Sequence, residues 1–268
     1  MTCRSISVAT LLLVLIAWGG SAARAQEPPL KVLVLAGTSN LTGSGARIAE
    51  LPDDLKQPQK DVLVYQGGAW VPLDPGKAPL RGNGKSNFGV EVTFGQAMTR
   101  HPGQPIGIIT GSMRTTSPDG GYAQLVRTVN DAKKSRPIII AGMSVQLFEA
   151  SDAKIEEMAT AFPTNLTRYI ESARRDFGNA AMPFAKNRAL PLQPNDKTLA
   201  LPPNSLPQSG FPYLDVLRKA EASIDLPGFR LIDLDDLPKG RDVHYNTQGI
   251  LELGKRHAAA MLELLKAE

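Results

Sequence analysis

The chain is poor in the residues that make most protein chemistry recognisable. It has one cysteine, Cys3, and three histidines among 268 residues, and aromatics make up 6%. One cysteine excludes an internal disulfide framework and a Cys-based zinc site, and no His/Cys cluster with ligand spacing occurs, so neither a metal nor any other cofactor is expected. No Gly-rich loop ends in Lys-Ser/Thr, which argues against a phosphate-cradling P-loop. No run of five Lys or Arg appears, and basic residues are not interleaved with aromatics, so nucleic acid is not an expected partner. Nor does any apolar run approach the ~20 residues that a membrane-spanning helix needs.

What is present begins with a processing signal. Arg4 gives a positive start, Val8 to Trp18 is apolar, and Ala23-Arg-Ala25 before Gln26 has the small-x-small form of a signal-peptidase site. Residues 1–25 are therefore expected to be a signal peptide, with a retained signal anchor as the alternative. The mature chain is expected to be exported to a bacterial periplasm or exterior, with no stable membrane insertion after cleavage. Cleavage would remove Cys3 together with Arg4 and Arg24 and no acid, lowering the net charge from +4 to +2. Asn40-Leu-Thr42 and Asn165-Leu-Thr167 match the glycosylation sequon, which is common by chance.

Residues 26–268 read as a single domain. Val32–Leu35, Val62–Tyr65, Ile106–Ile109, Ile138–Gly142 and Arg230–Leu234 have the short, apolar character of strands. Apolar residues fall at helical spacing in Glu91–Arg100, Tyr122–Lys134, Asp152–Phe177, Pro212–Ile224 and Thr247–Lys266. This alternation predicts an α/β fold, a three-layer α/β/α sandwich with a doubly wound, mostly parallel sheet. Two segments break the rhythm. Residues 53–87 hold a Gly67-Gly68 pair between β-like runs, the mark of a hairpin, then trail into a Gly- and Pro-rich stretch. Residues 190–208 are rich in Pro, Asn and Leu and read as an irregular loop. Trp70 either anchors the hairpin to the core or lines a sugar-binding edge.

Ser39 is the first candidate for chemistry. It follows Lys31-Val-Leu-Val-Leu-Ala-Gly37, an apolar run that breaks at Gly37, so it would stand at the carboxyl end of a buried strand, where α/β sheets bind ligands. Thr38, Ser39 and Asn40 would equally serve as an ordinary helix N-cap. A serine nucleophile needs a base. His101, in a turn after a helix, reads as solvated, and His257, inside the last helix, as a packing or surface position. His244 lies instead on a loop before a helix that Asn246 or Thr247 could cap. Asp242, two residues upstream, is the local candidate to orient its imidazole.

These residues stand in an order that resembles the SGNH hydrolases, and within them the sialate O-acetylesterase-like, acetylxylan-esterase-related group. Ala36-Gly-Thr-Ser-Asn-Leu41 is similar to that group's Gly-Gln-Ser-Asn-Met block, and Phe88-Gly-Val-Glu91 to its Phe-Gly-Pro-Glu block. Pro105-Ile-Gly-Ile-Ile109 matches the strand that follows, and Asp61-Val-Leu-Val-Tyr65 with Gly68-Ala-Trp-Val-Pro-Leu73 the group's insertion. Asp242-Val-His-Tyr-Asn-Thr-Gln-Gly249 resembles its histidine block. The resemblance implies a flavodoxin-like SGNH hydrolase fold, Ser39 as nucleophile, His244 as base, and an oxyanion hole formed by the N–H groups of Ser39 and Gly89 with Gln146. There are differences too. Thr38 replaces the usual glutamine, and Val145-Gln-Leu-Phe-Glu-Ala-Ser-Asp152 replaces Trp-x-Gln-Gly-Glu-Ser-Asp. Arg241 occupies the usual acid position, three before the histidine. The resemblance implies Glu149, the glutamate of that middle block, as an alternative acid to Asp242. Arg114 lies in a loop where the group has Gly-Gly-Thr-Ser and is either a substrate contact or a solvated charge.

The expected function is a serine esterase that removes O-acetyl groups from carbohydrate through an acyl-enzyme, with an acetylated carbohydrate or other small ester as substrate. The alternative is a diverged, weakly active or inactive glycan-binding protein of the same fold. A lipase or thioesterase of the superfamily would instead need an apolar acyl pocket.

Overall fold

The computed structural model describes residues 28–77, 86–99, 104–113, 116, 120–146, 152–189, 211–238 and 244–267. The signal segment, the 190–208 stretch, His101, Arg114, Glu149 and Asp242 all lie outside the described residues.

Seven strands form one sheet. They are β1 (Leu30–Gly37), β2 (Gln59–Gln66), β3 (Ala69–Leu73), β4 (Ile106–Ser112), β5 (Ile138–Gln146), β6 (Phe184–Asn187) and β7 (Phe229–Ile232), in spatial order β3-β2-β4-β1-β5-β6-β7. Every neighbouring pair is parallel except the β2–β3 hairpin. In that hairpin Gly67 and Gly68 have φ of 59° and 83°, as a two-residue turn with both central residues left-handed requires.

The helices are α1 (Glu91–Thr99), α2 (Gly120–Ser135), α3 (Glu156–Phe177), α4 (Leu214–Glu221) and α5 (Thr247–Lys266). α1 packs on α5, while α3 packs on α2 and α4, and these two groups cover the two faces of the sheet. With both faces covered, β1 is buried from Val32 to Gly37, which explains its unbroken apolar run. The expected three-layer fold is therefore the observed one.

Local chemistry sets the ends of the elements. Asn246 caps α5 through its side chain, which accepts the Gly249 N–H at 2.9 Å. α3 stops at Gly178, whose φ of 79° closes the helix while the N–H of Asn179 reaches back to Arg174. The segment expected to be one helix over 152–177 opens with a separate 3₁₀ turn at Asp152–Lys154.

Strand β6 has no counterpart among the expected strands. It is four residues long and carries Lys186 and Asn187, both fully buried, where an apolar residue would have signalled a strand. The Lys186 ammonium donates to Glu221 at 3.0 Å and to the Asn187 carbonyl at 2.6 Å, and it lies over the Phe162 ring. A paired lysine of this kind behaves as a core residue, which composition alone does not reveal.

Order and position together place the site. The chain leaves β1 to build β2, β3 and β4 on one side, then crosses over it to build β5, β6 and β7 on the other. The carboxyl end of β1 is thus the point where the winding reverses, the place where open α/β sheets bind ligands.

Candidate active site

Gly37 ends β1 in close quarters. A Cβ on it would run into the Gln146 carbonyl on the neighbouring β5, and its own carbonyl accepts the Met113 N–H at 3.0 Å at the exit of β4. Glycine is required here by space, not by φ. The chain then folds into successive turns, with Thr42 N–H on the Thr38 carbonyl at 3.1 Å and Ser44 N–H on the Ser39 carbonyl at 2.9 Å. No α-helix follows, so the reading of Thr38 to Asn40 as a helix N-cap is overturned.

Instead the half-buried Ser39 hydroxyl meets His244. The distance from His244 Nε2 to Ser39 Oγ is 3.0 Å, across 205 residues of sequence. This is the reach a base needs to take a hydroxyl proton. The contact is held from beside and below. Asn40, fully buried, accepts the Tyr245 N–H on its Oδ1 at 3.1 Å. Thr247, at the start of α5, accepts the Arg47 N–H at 3.0 Å and donates to Glu50. Gly45 leaves room for the Tyr245 carbonyl and the His244 Cβ. The nucleophile turn and the histidine loop are thereby fastened at three points. Asn40 was not anticipated in this role. Its signal in the sequence, an amide next to the nucleophile, also fits a cap or a sequon.

The oxyanion donors are placed unevenly. The Ser39 N–H donates to no acceptor among the described residues. Gly89 lies next to the nucleophile turn, since the following residue, Val90, donates its N–H to the Leu41 carbonyl at 3.1 Å. Yet the Gly89 N–H is engaged: it donates to Glu91 Oε1 at 3.2 Å. Gln146 ends β5 opposite Gly37, buried, with its Oε1 lacking a hydrogen-bond partner among the described residues. Thr38 Oγ1 is likewise buried and unpartnered. Unpaired buried polar atoms cost stability and gather where a ligand is to complete them.

Behind the histidine, no acceptor bonds His244 Nδ1 among the described residues. Asp242 and Glu149, the two acids expected there, fall outside those residues.

Two other expectations resolve away from the site. Trp70 donates its indole N–H to Ser135 Oγ at 3.0 Å, stacks at 5.3 Å on Tyr65, and lies over Gly107 near the start of β4. It anchors the hairpin toward the amino end of the sheet, opposite Ser39, and is no part of a sugar edge at the site. His257 is a core residue, not a surface one: 2% exposed, its Nδ1 lies 2.6 Å from Ser144 Oγ on β5. Burial, with help from the Lys186 charge, lowers its pKa to about 3, so it is a neutral imidazole.

The model of the family described as carbohydrate esterase, sialic acid-specific acetylesterase matches residues 29–263. Among solved structures, the chain is similar to a protein from Arabidopsis thaliana, with a TM-score of 0.69 and 17% identity over 88% of this chain and 99% of that one. It is also similar to a carbohydrate acetylesterase from Xanthomonas citri, with a TM-score of 0.58 and 15% identity over 89% of this chain and 57% of that one. The chain thus spans a little over half the length of the second protein. Identities this low carry the fold alone. No curated protein sequence matches the chain.

Proposed function

Because the chain belongs to the carbohydrate esterase family of sialic acid-specific acetylesterases, and so is a carboxylic ester hydrolase, we propose that Ser39 and His244 remove O-acetyl groups from carbohydrate through an acyl-enzyme. The observation that carries this reading is the 3.0 Å contact between His244 Nε2 and Ser39 Oγ at the point where the sheet winding reverses.

Each step has a residue. Ser39 Oγ attacks the acetyl carbonyl carbon as its proton passes to His244 Nε2. The carbonyl oxygen becomes an oxyanion that the Ser39 and Gly89 N–H groups face, with Gln146 at the rim. The intermediate collapses, the sugar oxygen leaves with the proton from His244, and the acetyl group remains on Ser39. Water then attacks this ester with His244 again as base, and acetate departs. A fixed oxyanion donor typically contributes ~3 kcal/mol to lowering such a barrier, so the donors matter as much as the base.

The test uses purified protein and an aryl acetate. Ser39→Ala is expected to abolish turnover, and undiminished turnover would exclude this nucleophile. A panel of acetylated sugars against longer acyl esters tests the acetyl-carbohydrate preference, and favouring long chains would point to a lipase. We also propose export. Mass spectrometry of protein from the producing cells should find a mature amino terminus near Gln26, and an intact Met1 would oppose it.

A further inference from the structure

Glu91 is an acid at the site to which the reaction above gives no task. It begins α1 and is fully buried. Its Oε1 accepts the Gly89 N–H at 3.2 Å, and its Oε2 is buried with no hydrogen-bond partner among the described residues. A Cβ on Gly89 would strike this Oε2 and the Leu41 carbonyl oxygen, so the carboxyl group and the backbone of the nucleophile turn crowd the same spot. A carboxylate beside a carbonyl oxygen, with one orphan oxygen, is poorly served; a protonated carboxyl is not.

Among the described residues, no cation pairs with the Glu91 carboxyl. On the turn after β1, Arg47 and Glu50 are exposed and face each other at 4.0 Å. On α5, Glu252 pairs with Arg256 and Lys255, and Arg256 with Asp236, while His257 is held by Ser144. On β2, Lys60 and Asp61 are exposed, and β4 carries no ionisable side chain. Accordingly burial pushes the Glu91 pKa up to about 7, opposed only by the N–H groups of Glu91 itself and Gly89.

We infer that Glu91 is a positioning residue for the oxyanion donor: as a neutral acid it yields the Gly89 N–H to the tetrahedral intermediate, and as a carboxylate it keeps that N–H for itself. The physical basis is competition for one donor. Hydrogen bonds to a charged acceptor are roughly twice as strong as those to a neutral one, so a developing oxyanion outbids a neutral carboxyl oxygen but not a carboxylate. The inference rests on the reading of Gly89 as an oxyanion donor in the proposed esterase reaction. Losing one such donor typically lowers kcat by ~100- to 1,000-fold, which bounds the effect.

The experiment is the pH profile of kcat/KM for an aryl acetate, measured on the wild-type chain and on Glu91→Gln. The wild type should rise with pH on the acid side, as a reaction that needs a general base does, then fall near neutrality as Glu91 ionises. In Glu91→Gln the side-chain oxygen stays neutral at every pH, so the falling limb should vanish while the rising limb stays. A falling limb that survives in Glu91→Gln overturns the inference. Should that variant not fold, the wild-type protein still decides. The ¹⁵N–¹H resonance of Gly89 should move with pH through the same midpoint as the falling limb, and a Gly89 amide that does not move overturns the inference. This signal needs no turnover. An unmoving Gly89 in a protein whose Ser39→Ala variant is inactive sinks the inference alone, whereas a fully active Ser39→Ala sinks the nucleophile assignment and the inference with it.

Discussion

Two serine–histidine pairs form among the described residues, and they differ in nearly everything except residue type. Ser39 and His244 meet at 3.0 Å, half-buried, on turns beyond the carboxyl end of β1. Ser144 and His257 meet at 2.6 Å, 1% and 2% exposed, between the middle of the sheet and α5. The second pair is the shorter, yet no ester can reach it, and its imidazole, held neutral by burial, has its Nε2 unpartnered. A nucleophile is defined by what surrounds the contact. Ser39 is half-buried on a turn, with a backbone N–H that meets no acceptor among the described residues; Ser144 has strands on both sides, pairing with Leu35 and Ala185.

The largest effect should separate the pairs by activity. Ser39→Ala or His244→Ala should lower kcat on an aryl acetate by at least ~10⁴-fold, as removal of a nucleophile or its base does elsewhere, with the urea unfolding midpoint little changed. Ser144→Ala should leave kcat within about threefold of wild type, since it touches no reacting group. A large loss of kcat in folded Ser144→Ala would break the comparison.

Stability should show the reverse order. His257→Ala removes a fully packed side chain and strands Ser144, so it should cost ~3 kcal/mol in urea unfolding. The double variant Ser144→Ala, His257→Leu should recover most of that, because replacing both partners by apolar groups leaves no polar atom orphaned.

The contrast between the pairs was only partly legible in the sequence. Ser39 could be found because Gly37 breaks an apolar run, which puts the serine at the carboxyl end of a buried strand, and because the blocks around it resemble those of a known family. His244 could be found because a histidine before a capped helix sits on a loop. His257 gave a weaker signal: a histidine inside an amphipathic helix is read from its neighbours' spacing, and its partner Ser144 lies 113 residues away on a strand. The same long-range pairing hid β6, whose Lys186 is tolerated in the core only because Glu221 on α4 meets it. Glu91 was visible as part of a block next to Gly89, but its burial depends on α5 closing over α1. The fold follows from local periodicity, whereas the state of each polar group depends on what the fold later brings against it.

Acid and base titration sharpens the comparison further. Burial lowers the His257 pKa to about 3 in the fold from its ordinary 6.5, so the unfolded chain binds the extra proton between those values. Its contribution to stability is present above about pH 6.5 and is lost as pH falls toward 3. Glu91 runs the other way. Its folded value is about 7 against 4.5, so its contribution is present below pH 4.5 and is lost as pH rises through 7. Measured in urea at pH ~4 and ~8, the stability of Glu91→Gln relative to wild type should shift by ~3 kcal/mol in favour of the variant at the higher pH. No shift would mean that the buried carboxyl titrates normally and that its surroundings do not hold it neutral.

The smallest effect concerns how the catalytic pair is held. The core pair is fixed by a strand and a helix, while the catalytic one depends on single bonds between turns, above all Asn40 Oδ1 to the Tyr245 N–H. Asn40→Ala removes that acceptor from the backbone N–H one residue beyond His244. The histidine loop should then sample positions off the 3.0 Å contact, and kcat should fall by ~10-fold while KM changes little, because the acceptor positions the base and does not touch the substrate. A rise in KM at constant kcat would place Asn40 in substrate binding instead. Stability should drop by only ~1 kcal/mol, the usual cost of one such bond. An activity loss larger than its stability cost would show that, at this edge, turn-to-turn hydrogen bonds do for Ser39 and His244 what packing does for Ser144 and His257.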